Sequence, residues 1–290
     1  MALTHLTAPA QWQTIDFVSD LHLQQTDATW HSFEQYLHST PADAIFLLGD
    51  ILELWAGDDA LQHPELAFER QLVATLQTVS RNKSLYFMHG NRDFLVGESF
   101  CQAAGLTLLD DPCTLEIPCA DATAAPTRIL LSHGDALCLD DTAYMQFRAQ
   151  VRNPAWQQQF LQQPLEQRLQ LARQLRQQSS MRKTTLGVEG YADVDATQAA
   201  QWLQTHQCSL LLHGHTHRPG EHALPSGNPS APLSRMVLSD WDLSATPPRG
   251  QIVRGQIVRG QIAHAQSANA QSANAQSANA HVRWQRLDVL

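Results

Sequence analysis

Five short clusters in this 290-residue chain carry side chains suited to divalent cations: Asp20-Leu21-His22, Gly49-Asp50, Gly90-Asn91-Arg92-Asp93, His133-Gly134-Asp135 and His213-Gly214-His215-Thr216-His217. Taken singly, each has a plain structural explanation. Gly-Asp is an ordinary turn, and Asn and Asp favour turns through their own side-chain hydrogen bonds. Together they differ from turns, because each ends a short apolar run and each offers Asp, Asn or His. Carboxylate, amide and imidazole ligands without thiolate suit Mn²⁺, Fe²⁺ or Zn²⁺. Asp20, His22, Asp50, Asn91, His133 and two of the last cluster's histidines make seven ligands, too many for one tetrahedral ion. The number suits two ions sharing a carboxylate, about 3.5–4 Å apart, which lower the pKa of a bridging water and clamp the oxygens of a displacement at phosphorus. Spacing does not choose among His213, His215 and His217, since side chains two apart share a face in an extended strand.

The runs before these clusters are Ile15–Ser19, Ala44–Leu48, Leu85–Met88, Arg128–Leu131 and Cys208–Leu212, and Met236–Leu238 precedes a Ser-Asp-Trp-Asp sequence. Their length and β-branched or aromatic content predict buried strands. The stretch after His63, with Pro64 at a first helical position, predicts a helix. Strands alternating with helices indicate a layered α/β domain, whose ligands gather at the carboxyl ends of the strands.

Asp141 to about Thr205 has helical patterns and no strand signal. Asn153-Pro154 reads as an N-cap and first-turn proline, and Pro164 starts another helix. In that helix Leu165, Leu169, Ala172 and Leu175 form an apolar stripe, with Arg168, Arg173 and Arg176 off it. Between Met145 and Thr185 stand seven basic residues against the single acid Glu166. The segment is expected either to dock on the sheet or to form a lid over a ligand that is part anion and part hydrocarbon. Past Arg249 the chain repeats Arg-Gly-Gln-Ile-Val twice and Arg-Gly-Gln-Ile-Ala once, then Ala-Gln-Ser-Ala-Asn three times. Units this short are no solenoid. Residues 254–280 are expected to be a repeat-rich loop, with a last strand after it.

The net charge of −9 argues against a general nucleic-acid binder. Five cysteines without a C-x-x-C pair favour reduced thiols in a cytoplasmic setting over a disulfide frame. No apolar run reaches the roughly 18 residues a membrane span needs. The N-terminal residues lack the features of a signal peptide.

The ordered motifs D-x-H, G-D, G-N-R-D, H-G-D and G-H-T-H resemble the calcineurin-like metallophosphoesterase superfamily from residue 14 to about 243. That resemblance implies an α/β fold, a double β-sandwich flanked by helices (αββα). The wording GNRDFLVG, HGDALCLDD and GHTHRP, with the helical insertion, resembles the branch that cleaves UDP-2,3-diacylglucosamine to UMP and 2,3-diacylglucosamine 1-phosphate (lipid X) in lipid A biosynthesis. It implies a core at 1–140 and 206–290, a lid at 141–205, two Mn²⁺ ions, an activated hydroxide attacking the α-phosphate, and work at the cytoplasmic face of the inner membrane, an anionic surface. It also implies Asp50 as the bridging ligand, with Asp20, His22 and His217 completing one site and Asn91, His133 and His215 the other. Asn91, Arg92 and His215 would then act in catalysis, and Asn91, Arg92, Asp141, Ser180, Lys183 and His215 would bind substrate. His213, just before the motif's glycine, would be structural. Two departures stand out: the register around Ser179, Ser180 and Lys183, and Ser239 where the branch has glycine. The alternatives are a superfamily member acting on a soluble nucleotide or phosphoprotein, and a metal-free scaffold.

Overall fold

The structure is a computed structural model that describes residues 2–119, 124–186, 192–258 and 281–289, with side chains in the 165–186 helix described through Gln177. In chain order the strands are β1 (Leu3–Thr7), β2 (Thr14–Val18), β3 (Ala44–Leu48), β4 (Ser84–Met88), β5 (Leu106–Ile117), β6 (Thr127–Ser132), β7 (Leu210–His213), β8 (Gly220–Leu224), β9 (Leu233–Val237), β10 (Gln251–Val258) and β11 (His281–Asp288). The α-helices are α1 (Ala28–Ser39), α2 (Ala67–Ser80), α3 (Glu98–Ala104), α4 (Thr142–Val151), α5 (Pro154–Leu161), α6 (Leu165–Leu186) and α7 (Ala196–Thr205).

Hydrogen bonding runs β11-β10-β2-β3-β4-β5-β6-β7-β9-β8, with β1 added parallel to β5. The run β2-β3-β4-β5 is parallel and β6-β7-β9 is parallel, while β5 and β6 are antiparallel. β5 serves both halves: Leu106–Leu109 pair with β4, and Cys113–Ile117 pair with β6. The sheet thereby turns its two halves toward each other around a shared core.

Strand alternation shows which face is which. In β3, Ile45 and Leu47 face a core with Trp30, Phe33, Leu72 and Phe100 from the flanking helices. Phe46 and Leu48 face the opposite core, with Phe17, Leu115, Leu131 and Leu212 between the sheet halves. There Phe17, Phe46 and Tyr86 stack with centroids 4.9 and 4.8 Å apart, worth about 0.5–1.5 kcal/mol per pair beyond area burial. A third cluster packs Leu130, Leu137 and Leu211 against Ala199 and Leu203 of α7. The order is therefore helix, sheet, sheet, helix, the expected αββα architecture. α7 forms the outer layer of the second half, whereas α4, α5 and α6 make an arm alongside the carboxyl ends of β2, β3, β4 and β6.

Asn153 caps α5 as expected, accepting N–H bonds from Ala155 and Trp156, with Pro154 in the first turn. Pro64 does not open α2, contrary to expectation. It lies in a turn, and the helix starts at Ala67 after Leu66, where the apolar stripe first meets the core. The expected loop from 254 is also corrected at its start. β10 continues to Val258 because Ile252, Val253 and Ile257 are core residues and Arg254 forms a bidentate pair with buried Asp16. Residues 259–280 lie outside the described residues, and β10 and β11 on either side of them pair antiparallel.

Candidate metal centre and active-site cleft

The expected ligands come from five strand ends. Among the described residues, non-glycine residues with positive φ are Asp20 (55°), His22 (50°), Asp50 (55°), His215 (65°), His217 (51°) and Gln207 (54°). Asp and His enter the left-handed region more readily than most residues, yet it still costs about 1 kcal/mol or more each. The concentration of this cost in five expected ligands marks a site whose surroundings hold it in place. Cross-loop backbone bonds do the holding: Asp20 N donates to Gly49 O, His22 N to Asp50 O, and Trp241 N to Asp20 O. A Cβ on Gly90 would strike the Asp50 carboxylate, and one on Gly214 would strike Ser19 and Asp20. The ligand loops approach too closely for a methyl group.

Asp20, His22 and His217 offer donor atoms within 4.8 Å of one another, as do Asp20, Asp50 and His133. Asp50 lies between two histidines, Oδ2 at 4.0 Å from His22 Nε2 and Oδ1 at 3.8 Å from His133 Nε2. Asn91 Oδ1 lies 3.1 Å from His133 Nε2 and 2.9 Å from His215 Nδ1. All seven expected ligands therefore converge. The donor set fits divalent cations: oxygen and imidazole nitrogen only, with a buried Asp20 Oδ1 that no hydrogen-bond donor satisfies.

The charges fit too. Burial opposes the ionised form of Asp20, but His217, His133 and His22 hold its carboxyl well below the usual range. Burial would lower the pKa of His133, but Asp50, Asp20 and Asp135 outweigh it and raise it to about 9. Carboxylates strong enough to keep a proton on a fully buried imidazole are strong enough to attract a cation in its place. Burial, then neighbouring His133, pushes His215 down to about 4, leaving the neutral form that ligates metal.

Second partners orient the rings. His133 Nδ1 is 2.9 Å from Leu48 O, His22 Nδ1 is 3.1 Å from Glu53 Oε2, and His217 Nδ1 is 3.6 Å from Asp240 Oδ2. The first is a hydrogen bond that leaves Nε2 for the centre, and the other two place a carboxylate beside Nδ1 that favours its proton by charge attraction. His213 is different. Its Nδ1 lies 2.9 Å from its neighbour's carbonyl at Gly214 and its Nε2 3.4 Å from Arg235, which is bound bidentately by Asp193. Burial pushes its pKa to about 3, so it stays a neutral core residue, as its place before the motif implied.

Several supporting residues escaped the sequence reading. Asp93, wholly buried, accepts N–H bonds from Gly90, Asp50, Ile51 and Leu52, tying two ligand loops together. Burial and then Asp50 raise its pKa to about 6. Its signal was present in Gly-Asn-Arg-Asp, where the last residue looked like a turn former. Asp135 accepts from Tyr144 Oη at 2.6 Å and Arg148 Nε at 2.8 Å, fixing α4 beside the centre. The Tyr144 ring lies 5.6 Å from that of His215. Ser239, standing where glycine was expected, is buried and donates to Asp240 O.

The expected substrate contacts are less concentrated. Arg92 N donates to Asp50 Oδ1, placing that residue at the centre. Asp141 caps α4 by accepting from Tyr144 N. Ser180 and Lys183 fall on α6, beyond its described side chains. A cleft of about 430 Å³ separates α6 from the core, lined by Trp55, Leu66, Phe68 and Leu169 together with charged Glu53, Glu65, Glu69, Arg173 and Arg176. Of the two expectations for this segment, docking on the core is what two α6 arginines do. Arg168 is 1% exposed and clamps Asp59, and Arg176 pairs with Glu53. Long side chains on a docked helix find carboxylates on the core, so the charges of Arg168 and Arg176 hold the arm, while Arg173 is exposed.

Residues 13–219 match the calcineurin-like phosphoesterase family. The chain is 47% identical over 229 residues to the UDP-2,3-diacylglucosamine hydrolase of Chromohalobacter salexigens, covering 77% of this chain and 87% of that protein. It is 42% identical over 232 residues to that of Chromobacterium violaceum and 40% identical over 233 residues to that of Pseudomonas aeruginosa, each covering 78% of this chain and 90% of the relative.

Proposed function

We infer the activity from one premise: this chain belongs to the calcineurin-like phosphoesterase family and, within it, to the UDP-2,3-diacylglucosamine hydrolases. It hydrolyses the pyrophosphate of UDP-2,3-diacylglucosamine, giving UMP and 2,3-diacylglucosamine 1-phosphate. The observation that carries this reading is the pairing of two overlapping Asp/His donor clusters with a cleft beside them whose lining is part apolar and part charged.

Asp20, His22, Asp50 and His217 would hold one ion, and Asp50, Asn91, His133 and His215 the other, with Asp50 shared. When bound, two such ions polarise phosphate oxygens and lower the pKa of the water between them. Mn²⁺ suits these ligands, and metal analysis of the purified protein tests that identity. The chain's own task is to place the phosphorus bearing the uridine. The Arg92 guanidinium, a planar fork, matches phosphate oxygens, and His215 faces the same space. Water adds to that phosphorus as its bond to the bridging oxygen breaks. The sugar phosphate leaves as a weak base, so no dedicated general acid is required. Asp141, Ser180 and Lys183 are proposed to hold the glucosamine end.

Of the lid expected at 141–205, residues 141–186 are proposed to serve, because α7 packs its Ala199 and Leu203 into the core instead. No helix among the described residues is long and apolar enough to cross a membrane. Leu139, Leu161 and Leu171, exposed on or beside the arm, support contact with an anionic membrane surface from the cytoplasmic side. Binding to anionic vesicles tests it. The activity itself is tested by UMP release from UDP-2,3-diacylglucosamine with Mn²⁺, abolished by chelator. Cleavage of simple phosphomonoesters alone would overturn the assignment.

A further inference from the structure

Glu53 touches both the centre and the arm. It lies in the loop after β3, 7% exposed, and its backbone N donates to Leu23 O, which fixes it to the loop carrying His22. One carboxylate oxygen, Oε1, pairs with Nε of Arg176 from α6. The other, Oε2, lies 3.1 Å from Nδ1 of His22, a charge contact without the alignment of a hydrogen bond, and His22 Nε2 lies 4.0 Å from Asp50. A carboxylate beside Nδ1 favours the proton there by charge attraction and leaves the Nε2 lone pair for a cation. A buried carboxylate with only a neutral imidazole for company is costly, and the guanidinium offsets that cost while fixing the rotamer. Arg176 thus has a route to His22 that crosses one side chain.

We propose that Glu53 is a positioning residue that couples docking of α6 to the His22 half of the metal centre, so that arm closure and cation binding each favour the other. Any such coupling is reciprocal. The arm supplies its own control. Arg168, two turns earlier on α6, docks the same helix through Asp59, whose side chain is largely exposed and whose ion pair lies away from the expected ligands. If only docking strength matters, the two pairs are equivalent. If the route through Glu53 matters, they are not.

This proposal rests on the metal reading above, and the test separates the two. Mn²⁺ is titrated calorimetrically into the metal-free full chain, with circular dichroism confirming that each variant is folded. His22→Ala should lose one of two binding events; if both persist unchanged, the metal reading fails and the coupling with it. Glu53→Ala should weaken one event about 10–100-fold. Arg176→Ala, which removes the guanidinium partner of Glu53, should weaken the same event about fivefold or more. Asp59→Asn should leave both within twofold. Glu53→Ala combined with Arg176→Ala should match Glu53→Ala alone, since both act through one carboxylate. In the wild type, Mn²⁺ should also slow amide exchange in residues 165–177, and in Glu53→Ala it should not. An Arg176→Ala protein with wild-type affinity, an equal loss in Asp59→Asn, or additive losses in the double variant would each overturn the coupling while leaving the metal reading intact.

Discussion

Two fully buried charges, Asp93 and Arg168, hold neighbouring parts of the molecule by different means. Asp93 accepts four backbone N–H bonds from the loops after β3 and β4, all near in space to the ligands those loops carry. Arg168 binds one carboxylate, Asp59, and the carbonyls of Ala56 and Gln163, joining a helix of the arm to a distant loop. The first arrangement fixes backbone, and with it the left-handed residues that aim the ligands. The second fixes a helix through side chains that solvent competes for, because Asp59 is largely exposed. A centre that must hold donor atoms to fractions of an ångström uses the stiffer device. An arm proposed to admit a substrate uses the one that lets go more easily.

The largest effect should come from removing the shared ligand. Asp50→Asn is expected to reduce UMP release about 10³-fold or more while leaving the fold intact, since several kcal/mol of charge stabilisation go with it. Near-normal turnover would break the account of the centre. Asp93→Ala leaves four buried N–H groups without an acceptor. It should cost about 3 kcal/mol or more in urea unfolding and weaken Mn²⁺ binding as well. Arg168→Ala should cost less, about 1–3 kcal/mol, seen as faster proteolysis and amide exchange in α6 with Mn²⁺ affinity unchanged. If Arg168→Ala disturbed the centre as much as Asp93→Ala, the two regions would be one mechanical unit and the contrast would fall.

His213 gives the smallest effect on activity and a distinct effect of pH. His213→Ala should keep activity within about tenfold of wild type, against losses of at least 100-fold for His215→Ala and His217→Ala. The folded pKa of about 3 lies below the unfolded value of 6.5. As pH falls from about 6.5 toward 3, the unfolded chain gains a proton that folded His213 refuses, so stability falls. His213→Gln should remove that contribution, about 1.4 kcal/mol per pH unit, and melting curves across that range would reveal it. His89, pushed to about 4 by burial, contributes in the same direction and remains in the variant.

The centre was legible because each of its parts is local: an apolar run ends and the ligand follows within a few residues. The same locality explains the misreadings. Asp93 and Asp135 sat within the recognised motifs, yet their partners, backbone of another loop and side chains of α4, are found only in the fold. The partners of the α6 arginines were not legible because Arg168 and Asp59 are 109 residues apart and Arg176 and Glu53 are 123 apart. β5 carried no strand signal across Asp110-Asp111-Pro112, because there it passes from one half of the sheet to the other and its side chains alternate between surroundings. Residues 254–258 looked like filler from their repetition, although their isoleucine and valine are as apolar as those of any other strand.

That repetition has a consequence for the strand it built. Five is an odd number, and successive residues of a strand point to opposite faces, so one unit laid after another turns the same side chain over. Ile252 enters the helix-side core and Ile257, its copy, the core between the sheet halves. One short phrase has furnished both surfaces of β10. The third copy then stands as a spare: excising residues 254–258 would bring Arg259 to the partner of Asp16 and Ile262 to the place of Ile257, with alanine for Val258 the one change in the strand. Such a chain can gain or lose a unit of its gene and still spell the same strand.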